Sequence, residues 1–406
     1  MNYIVLAIPV FFLLIGVELL AARIGRHDYY RLSDTVNDLS CGILDQLLEV
    51  FLKTTIFAGY VFVYERYRLT TLPADSVAVW LAGFVGVDFL YYWLHRSSHE
   101  LNMLWANHVV HHQSEDFNLA VALRQGSLQS TFTWFFYLPL AWAGLSPLTF
   151  LTLTSVNTLY QFWIHTRAIG RLGPLEWVLN TPSNHRVHHG REPKYIDKNH
   201  GGTLIVWDRL FGTYQAEEEE PVYGITRPLA SWNPVWANLH YWIELLRTAG
   251  RTRRWSDRVR LFLKPPGWRP PELGGFVAAG AVDRTTYRKW DVERSPALAA
   301  YALAQFVPVL GGASVLLFQQ QRLDRLSLVI GSGLIAASLV ALGGLLERKA
   351  WAPWLEALRL LLVTGWAAAS SAPPLAAFAF AVSAGSMVWL WRLRGAFAPK
   401  WGQVLN

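Results

Sequence analysis

The stretch WLHRSSHELNMLWANHVVHH, Trp93–His112, concentrates five histidines. His95 and His99 make an H-x3-H pair, and His108, His111 and His112 make H-x2-H-H. A second H-x2-H-H follows in NHRVHHG, with His185, His188 and His189. Residues three and four apart share one face of an α-helix, so if these segments are helical each cluster aims its imidazoles at one point. Eight imidazoles are too many for a single ion, since a zinc site takes three or four protein ligands. Two ions fit the number, and imidazole suits iron, copper, nickel and zinc alike. A lone histidine on an apolar face is ordinarily a core residue with a hydrogen-bond partner. Here ten of the twelve histidines lie between His95 and His200, which points to one shared role, a histidine-built dinuclear metal centre.

The surrounding chain reads as membrane protein. Of its 406 residues 52% are hydrophobic and only 16% charged, against about 25% charged in a soluble domain. Tryptophan, which collects at membrane interfaces, occurs 20 times. Cys41 is the only cysteine, which excludes an intrachain disulfide and a thiolate-held cluster. The net charge of +7 resides in basic residues flanking apolar stretches, and no RNA or DNA motif accompanies it, so nucleic acid is not an expected partner.

Residues 3–22, 42–63 and 76–94 have the apolar length that a bilayer demands, about 20 residues. The second carries Asp45, Glu49 and Lys53 at helical spacing, which predicts one polar stripe facing protein or the interface. Arg23, Arg26 and Arg31 follow the first span and predict a cytoplasmic end for it. The third then runs into His95 and His99, so the histidines are expected on the cytoplasmic side. Residues 128–165 read as a helical hairpin broken at Pro139 and at Gly144–Pro147. It ends in NTLYQFWIHT, which brings Gln161 and His165, a candidate ninth ligand, back to the same side.

Four more candidate spans, 296–319, 326–346, 355–372 and 374–391, are read as free of histidines and ionisable pairs. Arg348, Lys349, Arg392, Arg394 and Lys400 fall inside under this count, whereas Arg322 and Arg325 fall outside. The expected architecture is an all-α integral-membrane bundle with a cytoplasmic histidine-rich cap. Its parts are a core over 1–263 with the cap at 166–263, a Pro/Gly-rich linker at 264–295, and a multi-span region at 296–406.

Between these landmarks, Thr181 or Ser183 is a candidate N-cap with Pro182 near a helix start. GTLIVWDRLFGTY reads as a short strand or a docked amphipathic segment, and Glu217–Glu220 as a solvated loop. Residues 247–260 are strongly basic, as suits either a surface resting on anionic headgroups or a solvated loop. Asp88 shares a face with Tyr91, Tyr92, His95 and His99. It is either a carboxylate that receives a ligand histidine's second N–H, or a buried acid bonded to tyrosine or backbone.

The ordered boxes H-x3-H, H-x2-H-H and H-x2-H-H on membrane helices resemble the fatty acid hydroxylase and sterol desaturase superfamily of di-iron oxygenases. The stretches YYWLHRSSHE, NMLWANHVVHHQSEDFNLAVALRQ, LYQFWIHT, LGPLEWVLNTPSNHRVHHGR and IDKNHGGTLIVWDRLFGTY are most similar to its alkylglycerol monooxygenase branch. The resemblance implies two iron ions held by His95, His99, His108, His111, His112, His185, His188 and His189, with His165 a further participant. It implies O2 as oxidant, a lipid substrate from the membrane, and tetrahydrobiopterin as the first candidate reductant. No HPGG motif of a fused cytochrome b5 is present, so electrons are expected from a separate donor or a bound pterin. The family pattern has tyrosine where this chain has His200, which leaves that residue open as a ligand, a pocket residue or a neutral exchange. Glu100, Glu115, Asp116, Asn118, Arg124 and Gln125 lie near the boxes. They could orient a headgroup or pterin, or equally serve as caps and surface residues.

The reaction implied is O2-dependent hydroxylation of a lipid C–H bond, with cleavage of an alkylglycerol ether to a fatty aldehyde. Hydroxylation or desaturation of a sterol, carotenoid or acyl chain is the alternative within the superfamily. A zinc-dependent membrane hydrolase is a remote one, because H-E-x-x-H is absent. A metal transporter would carry its histidines within the spans rather than at their ends. The expected setting is a bacterial inner membrane or the endoplasmic reticulum.

Overall fold

The computed structural model describes residues 3–369 and 373–397. Lys400 and the last residues of the expected 355–372 span lie outside them. The described residues fold into α1 (Tyr3–Gly25), α2 (Leu32–Tyr67), α3 (Val77–Glu100), α4 (Asn102–His112), α5 (Gln129–Thr133), α6 (Leu138–Ala143), α7 (Pro147–Trp163) and α8 (Pro182–His188). These are followed by α9 (Val206–Phe211), α10 (Pro234–Arg251), α11 (Trp255–Leu263), α12 (Pro296–Gln319), α13 (Arg325–Leu346), α14 (Ala352–Ala369) and α15 (Pro373–Arg392). Isolated bridges Leu179–Leu204 and Gly190–Tyr223 are the only β pairing among the described residues. Five helices, α1 from Leu6, α2, α3, α12 and α13, are long and apolar enough to cross a bilayer. The chain is a multi-pass, all-α membrane protein.

Two compact units divide it, residues 1–229 with 238–289, and residues 230–237 with 290–406. In the first, α2 begins ten residues before the expected span and runs for 36 residues, about 54 Å, well beyond a hydrocarbon core of about 30 Å. Its first turns, LSDTVNDLSC, are polar in sequence, yet Ser33, Asp34, Asn37, Asp38 and Ser40 are buried there. Arg124 explains this, since its guanidinium binds Asp38 at 3.1 Å and the Asn37 amide oxygen at 2.5 Å.

The hairpin expected over 128–165 has one continuous leg, α7. Its other leg is broken into α5, a 3-10 turn at Trp134–Tyr137, and α6. The run TFTWFFY lacks strong helix formers, and Thr133 turns its hydroxyl back onto the Gln129 carbonyl at 2.8 Å. At the reversal Gly144 has φ +98°, and a Cβ there would lie 2.0 Å from the Thr70 carbonyl oxygen, so only glycine fits. Ser146 then caps α7 by accepting from the Thr149 N–H. α3 and α7 enclose Val87, Leu145 and Leu153, and a second small core of Ala106, Leu245 and Leu261 joins α4 to α10 and α11. Residues 264–289 are bonded into this unit: the Asn102 N–H donates to the Lys264 carbonyl, and Lys289 pairs with Asp116 at 2.6 Å.

The second unit contains α12 to α15, and it corrects the expectation that these helices hold no ionisable pair. In α14 the guanidinium of Arg359 contacts Glu356 at 2.5 Å, and both side chains are buried. Tyr301 of α12 donates to the same carboxylate at 2.8 Å, and Arg359 also donates to Gln305 at 2.5 Å. The i, i+3 spacing of the two charges in WLEALRL was the available signal.

Candidate metal centre

Nine histidines converge in the first unit, none more than 5% exposed. The last two turns of α3 carry His95 and His99. α4 ends on His108, His111 and His112, and α8 carries His185 and His188 with His189 at its C-cap. His165 stands two residues beyond α7. They sort into two groups that could each hold a metal ion: His95, His99, His108, His112 and His188, and His111, His165, His185 and His189. Within each group the available ligand nitrogens lie within 4.8 Å of one another.

The hydrogen bonds assign the tautomers. Nδ1 of His95 faces the His200 carbonyl at 2.8 Å, that of His111 the Arg124 carbonyl at 2.8 Å, that of His165 the Gln161 carbonyl at 2.7 Å, and that of His188 the Lys198 carbonyl at 2.9 Å. A carbonyl oxygen only accepts, so each Nδ1 carries the proton and each neutral ring presents a bare lone pair at Nε2. The Nε2 atoms of His165 and His111 nevertheless approach to 3.1 Å with no proton to share. His185 and His165 approach to 2.9 Å, His95 and His108 to 3.0 Å, and His112 and His108 to 3.2 Å. Two bare lone pairs, as on His165 and His111, repel unless a cation lies between them. Nitrogens in adjacent octahedral positions about 2.1 Å from one ion would be about 3.0 Å apart. The donor set therefore fits two metal ions with imidazole ligands, and the bonded carbonyls hold each ring in its ligating orientation.

Burial is the first cause that holds His108, His112, His165, His185, His188 and His189 well below the ordinary imidazole range, and neighbouring imidazoles add to it. Burial also pushes His111 down to about 4. These rings are neutral, the form that binds metal. In the unfolded chain they would titrate near 6.5, so below that pH the unfolded state binds protons that the folded state refuses. Metal-free protein is thus expected to lose stability as pH falls from about 6.5 toward 4, by roughly 3 kcal/mol for His111 alone. Thermal midpoints of chelator-stripped protein in detergent, taken from about pH 7.5 down to pH 5, test this. A flat profile would contradict the neutral assignment.

The remaining sequence candidates are placed as follows. Asp88 touches no histidine ring. Its carboxylate accepts from the N–H groups of Thr203 (2.7 Å) and Leu204 (3.1 Å), the Trp207 indole (2.9 Å) and the Asn157 amide (2.6 Å). It pins the segment whose His200 carbonyl orients His95. Gly202 lets that segment approach, since a Cβ there would meet Tyr91 at 2.8 Å. His200 is buried against His99, His95 and His188, with ring centroids 5.1 to 5.7 Å apart. Its Nδ1 is 3.7 Å from Asp208, and it belongs to neither group. Arg124 and Gln161 act through their carbonyls. Glu100 lies outside, exposed and paired with half-buried Arg96 at 2.8 Å, because it faces away at the end of α3.

Glu115 accepts from the Tyr287 hydroxyl, and Asp116 is neutralised by Arg31 (3.0 Å) and Lys289 (2.6 Å). Asn118 bridges the Tyr29 carbonyl and the Ala120 N–H, and Gln125 donates to the Ala122 carbonyl. Three residues near the rings escaped the sequence reading: Gln129 contacts His108 Nδ1 at 3.2 Å, Asp197 lies 3.5 Å from His99, and Asn157 supports Asp88. None belongs to a box, and only the acidic Asp197 close after the third box offered a signal.

α8 starts as expected, with Thr181 capping and Pro182 in the first turn, while GTLIVWDRLFGTY holds the short helix α9 at its centre, after the isolated bridge at Leu204. Glu217 corrects the solvated-loop reading. It is buried, accepts two bonds from Arg186 at 2.7 and 2.8 Å, and receives the Ser183 hydroxyl at 2.7 Å. Its length lets it turn inward to neutralise an arginine that the box sequence NHRVHH places inside. Glu217→Gln should leave that guanidinium uncompensated and cost about 3–5 kcal/mol. A lowered thermal midpoint in fluorescence-detected size exclusion measures it, and an unchanged midpoint would contradict it.

A family profile described as fatty acid hydroxylase matches residues 80–213, which enclose all nine grouped histidines. Alkylglycerol monooxygenase of Xenopus tropicalis is 38% identical over 363 residues, 89% of this chain and 81% of that protein. Alkylglycerol monooxygenase of Homo sapiens is 38% identical over 366 residues, with the same shares covered. The chain belongs to the alkylglycerol monooxygenase family. As a member of that family it is an oxidoreductase, an oxygen-dependent lipid monooxygenase. More remote is ornithine lipid hydroxylase OlsE of Rhizobium tropici, 30% identical over 32% of this chain and 40% of that protein. No solved structure matches the chain.

Proposed function

We propose that the two histidine groups hold two iron ions, and that the chain cleaves the ether bond of an alkylglycerol. The observation that carries the metal reading is the convergence of imidazole Nε2 atoms at about 3 Å in two groups, with Nδ1 bonded to a backbone carbonyl on His95, His111, His165 and His188. The substrate reading rests on the alkylglycerol monooxygenases that align along 89% of the chain. Iron bound there would supply the reductive activation of O2 that an unactivated C–H bond requires.

The protein's own part is to orient the rings and exclude water. Fully buried Phe117 stacks on Tyr223, with centroids 4.9 Å apart, and covers His165 and His189. Trp105 lies over His99 and His112. For the substrate, an alkyl ether R–CH2–O–R′ takes one oxygen atom at the carbon beside the ether oxygen. The resulting hemiacetal falls apart to R–CHO and HO–R′, while the second oxygen atom leaves as water with two electrons and two protons from a reductant. Tetrahydrobiopterin is our first candidate for that reductant, with a separate electron-donor protein as the alternative.

We assign the chemistry to residues 1–263, followed by the Pro/Gly-rich 264–295 stretch and a separate membrane region at 296–406. The arginines after α1 support a centre on the cytoplasmic side, in a bacterial inner membrane or the endoplasmic reticulum. Nine histidine donors and the absence of H-E-x-x-H weigh against a zinc hydrolase. The decisive experiment is aerobic turnover of an alkylglycerol by purified, iron-loaded protein with and without tetrahydrobiopterin, reading fatty aldehyde. Pterin-dependent aldehyde is the expected result. Two irons per chain without aldehyde would move the substrate to a sterol, carotenoid or acyl chain, and one zinc without iron would overturn the proposal.

A further inference from the structure

α11 presents a feature that the metal centre does not use. Trp255, Val259 and Leu263 recur every four residues along it, and all three are exposed, Trp255 by 74%. Four-residue spacing makes them one apolar stripe on one face. Beside the stripe lies a cleft of about 660 Å³ lined by Arg253, Arg254, Arg260 and Arg269, against two acids, Asp257 and Glu272. The acids are occupied, Asp257 by Arg260 at 3.1 Å and Glu272 by the Arg253 N–H at 3.3 Å, while Arg269 leans on Glu244 at 3.6 Å. The guanidinium groups of Arg253 and Arg254 have no partner among the described residues. Phe276, 61% exposed, adds an apolar edge to the cleft.

The position of this surface is fixed by bonds to the helices around it. The N–H of Asn102, two residues beyond the end of span α3, donates to the Lys264 carbonyl at 3.0 Å. The Asn102 side chain donates to the Leu261 carbonyl at 2.9 Å and accepts from the Tyr241 hydroxyl at 2.6 Å. α11 is thus tied to the point where α3 leaves the apolar layer, at the start of the helix that carries His108, His111 and His112. A water-exposed tryptophan stripe beside unpaired arginines at that depth suits a bilayer interface, with rings among the acyl–headgroup boundary and guanidinium groups on phosphate.

We propose that the cleft binds the phosphate headgroup of an anionic phospholipid while the Trp255–Val259–Leu263 stripe enters the same leaflet, fastening α11, and through Asn102 the start of α4, to the membrane surface. This site is separate from the oxidised substrate and stands whichever lipid is hydroxylated.

The test reconstitutes the iron-loaded full chain in nanodiscs of phosphatidylcholine mixed with phosphatidylglycerol, and counts retained lipid by native mass spectrometry. Wild type should retain phosphatidylglycerol in preference to phosphatidylcholine. In Arg253→Gln/Arg254→Gln that preference should fall roughly 30-fold, and Trp255→Ala should weaken it by itself. Arg322→Gln/Arg325→Gln removes the same charge from exposed positions elsewhere and should leave it intact. No preference in wild type, or an equal loss in the control variant, would overturn the site. Displacement of the lipid by inorganic phosphate alone, at equal concentration, would make it a soluble-anion site and overturn the membrane assignment. Unchanged iron content and elution volume show that each variant is folded.

Discussion

Replacing His185 with alanine is expected to halve the iron content, from two ions per chain to one, and to abolish aldehyde formation. His185 belongs to the four-histidine group, where its Nε2 is 2.9 Å from that of His165. Removing one of four donors weakens that group enough for its ion to be lost on dialysis, while the five-histidine group keeps its full set. The loss of activity should be on the order of 10³-fold or more, because replacing residues that merely support a ligand already costs 10–100-fold. Iron quantified per chain, together with the Mössbauer spectrum of the residual ion, reads the result. His27→Ala, at an exposed position outside both groups, should retain both irons and full turnover. If His185→Ala kept two irons, the division into two groups would be wrong.

The second large effect is expected at a residue that touches no imidazole. Asp88→Ala removes one acceptor from four donors, those of Thr203, Leu204, Trp207 and Asn157, three of which belong to the segment that follows His200. Buried donors left unpaired cost about 1–3 kcal/mol each, and with partial relaxation the variant should lose on the order of 4 kcal/mol. Freed, the segment no longer holds the His200 carbonyl 2.8 Å from His95 Nδ1, so iron affinity should fall 10–100-fold. Asp88→Asn, which keeps the volume and one acceptor oxygen, should be the milder variant. Chelator competition measures the affinity. A stability loss with unchanged iron affinity would reduce Asp88 to a packing role.

The convergence of the box histidines was legible because helical spacing turns a written pattern into a shared face, and α3, α4 and α8 are helical where the boxes fall; His165 was singled out only by the hairpin that returns it to the same side. The hydrogen bonds that orient the rings were not legible. His200, Arg124, Gln161 and Lys198 contribute backbone carbonyls, which every residue type owns, so no side-chain pattern marks them. Arg124 and Gln161 were singled out for their side chains, yet it is their backbone carbonyls that meet the rings. Length and hydropathy placed the spans that became α1, α2, α3, α12 and α13. They overcounted at 355–372 and 374–391, whose helices α14 and α15 are not among those long and apolar enough to cross. They also missed the start of α2, because LSDTVNDLSC looks soluble until Arg124 is brought against it from 86 residues away. Glu217 was misread for the same reason, since its partner Arg186 is 31 positions distant. Local pattern reports faces and spans, whereas a buried charge is explained only by a partner that the fold delivers.

The Glu356–Arg359 pair bears on how the chain is made. α14 is not among the helices long and apolar enough to cross a bilayer, and by itself it would carry two charges in its first two turns into an apolar surrounding. α14 offsets this only when Tyr301 and Gln305 of α12 are already beside it to complete the carboxylate and guanidinium bonds. During synthesis α12 emerges first, so α14 should linger at the insertion machinery until α12 is at hand rather than partition by itself. Membrane integration of this region is then a cooperative event, in which α12 acts as an internal chaperone for a later segment of its own chain.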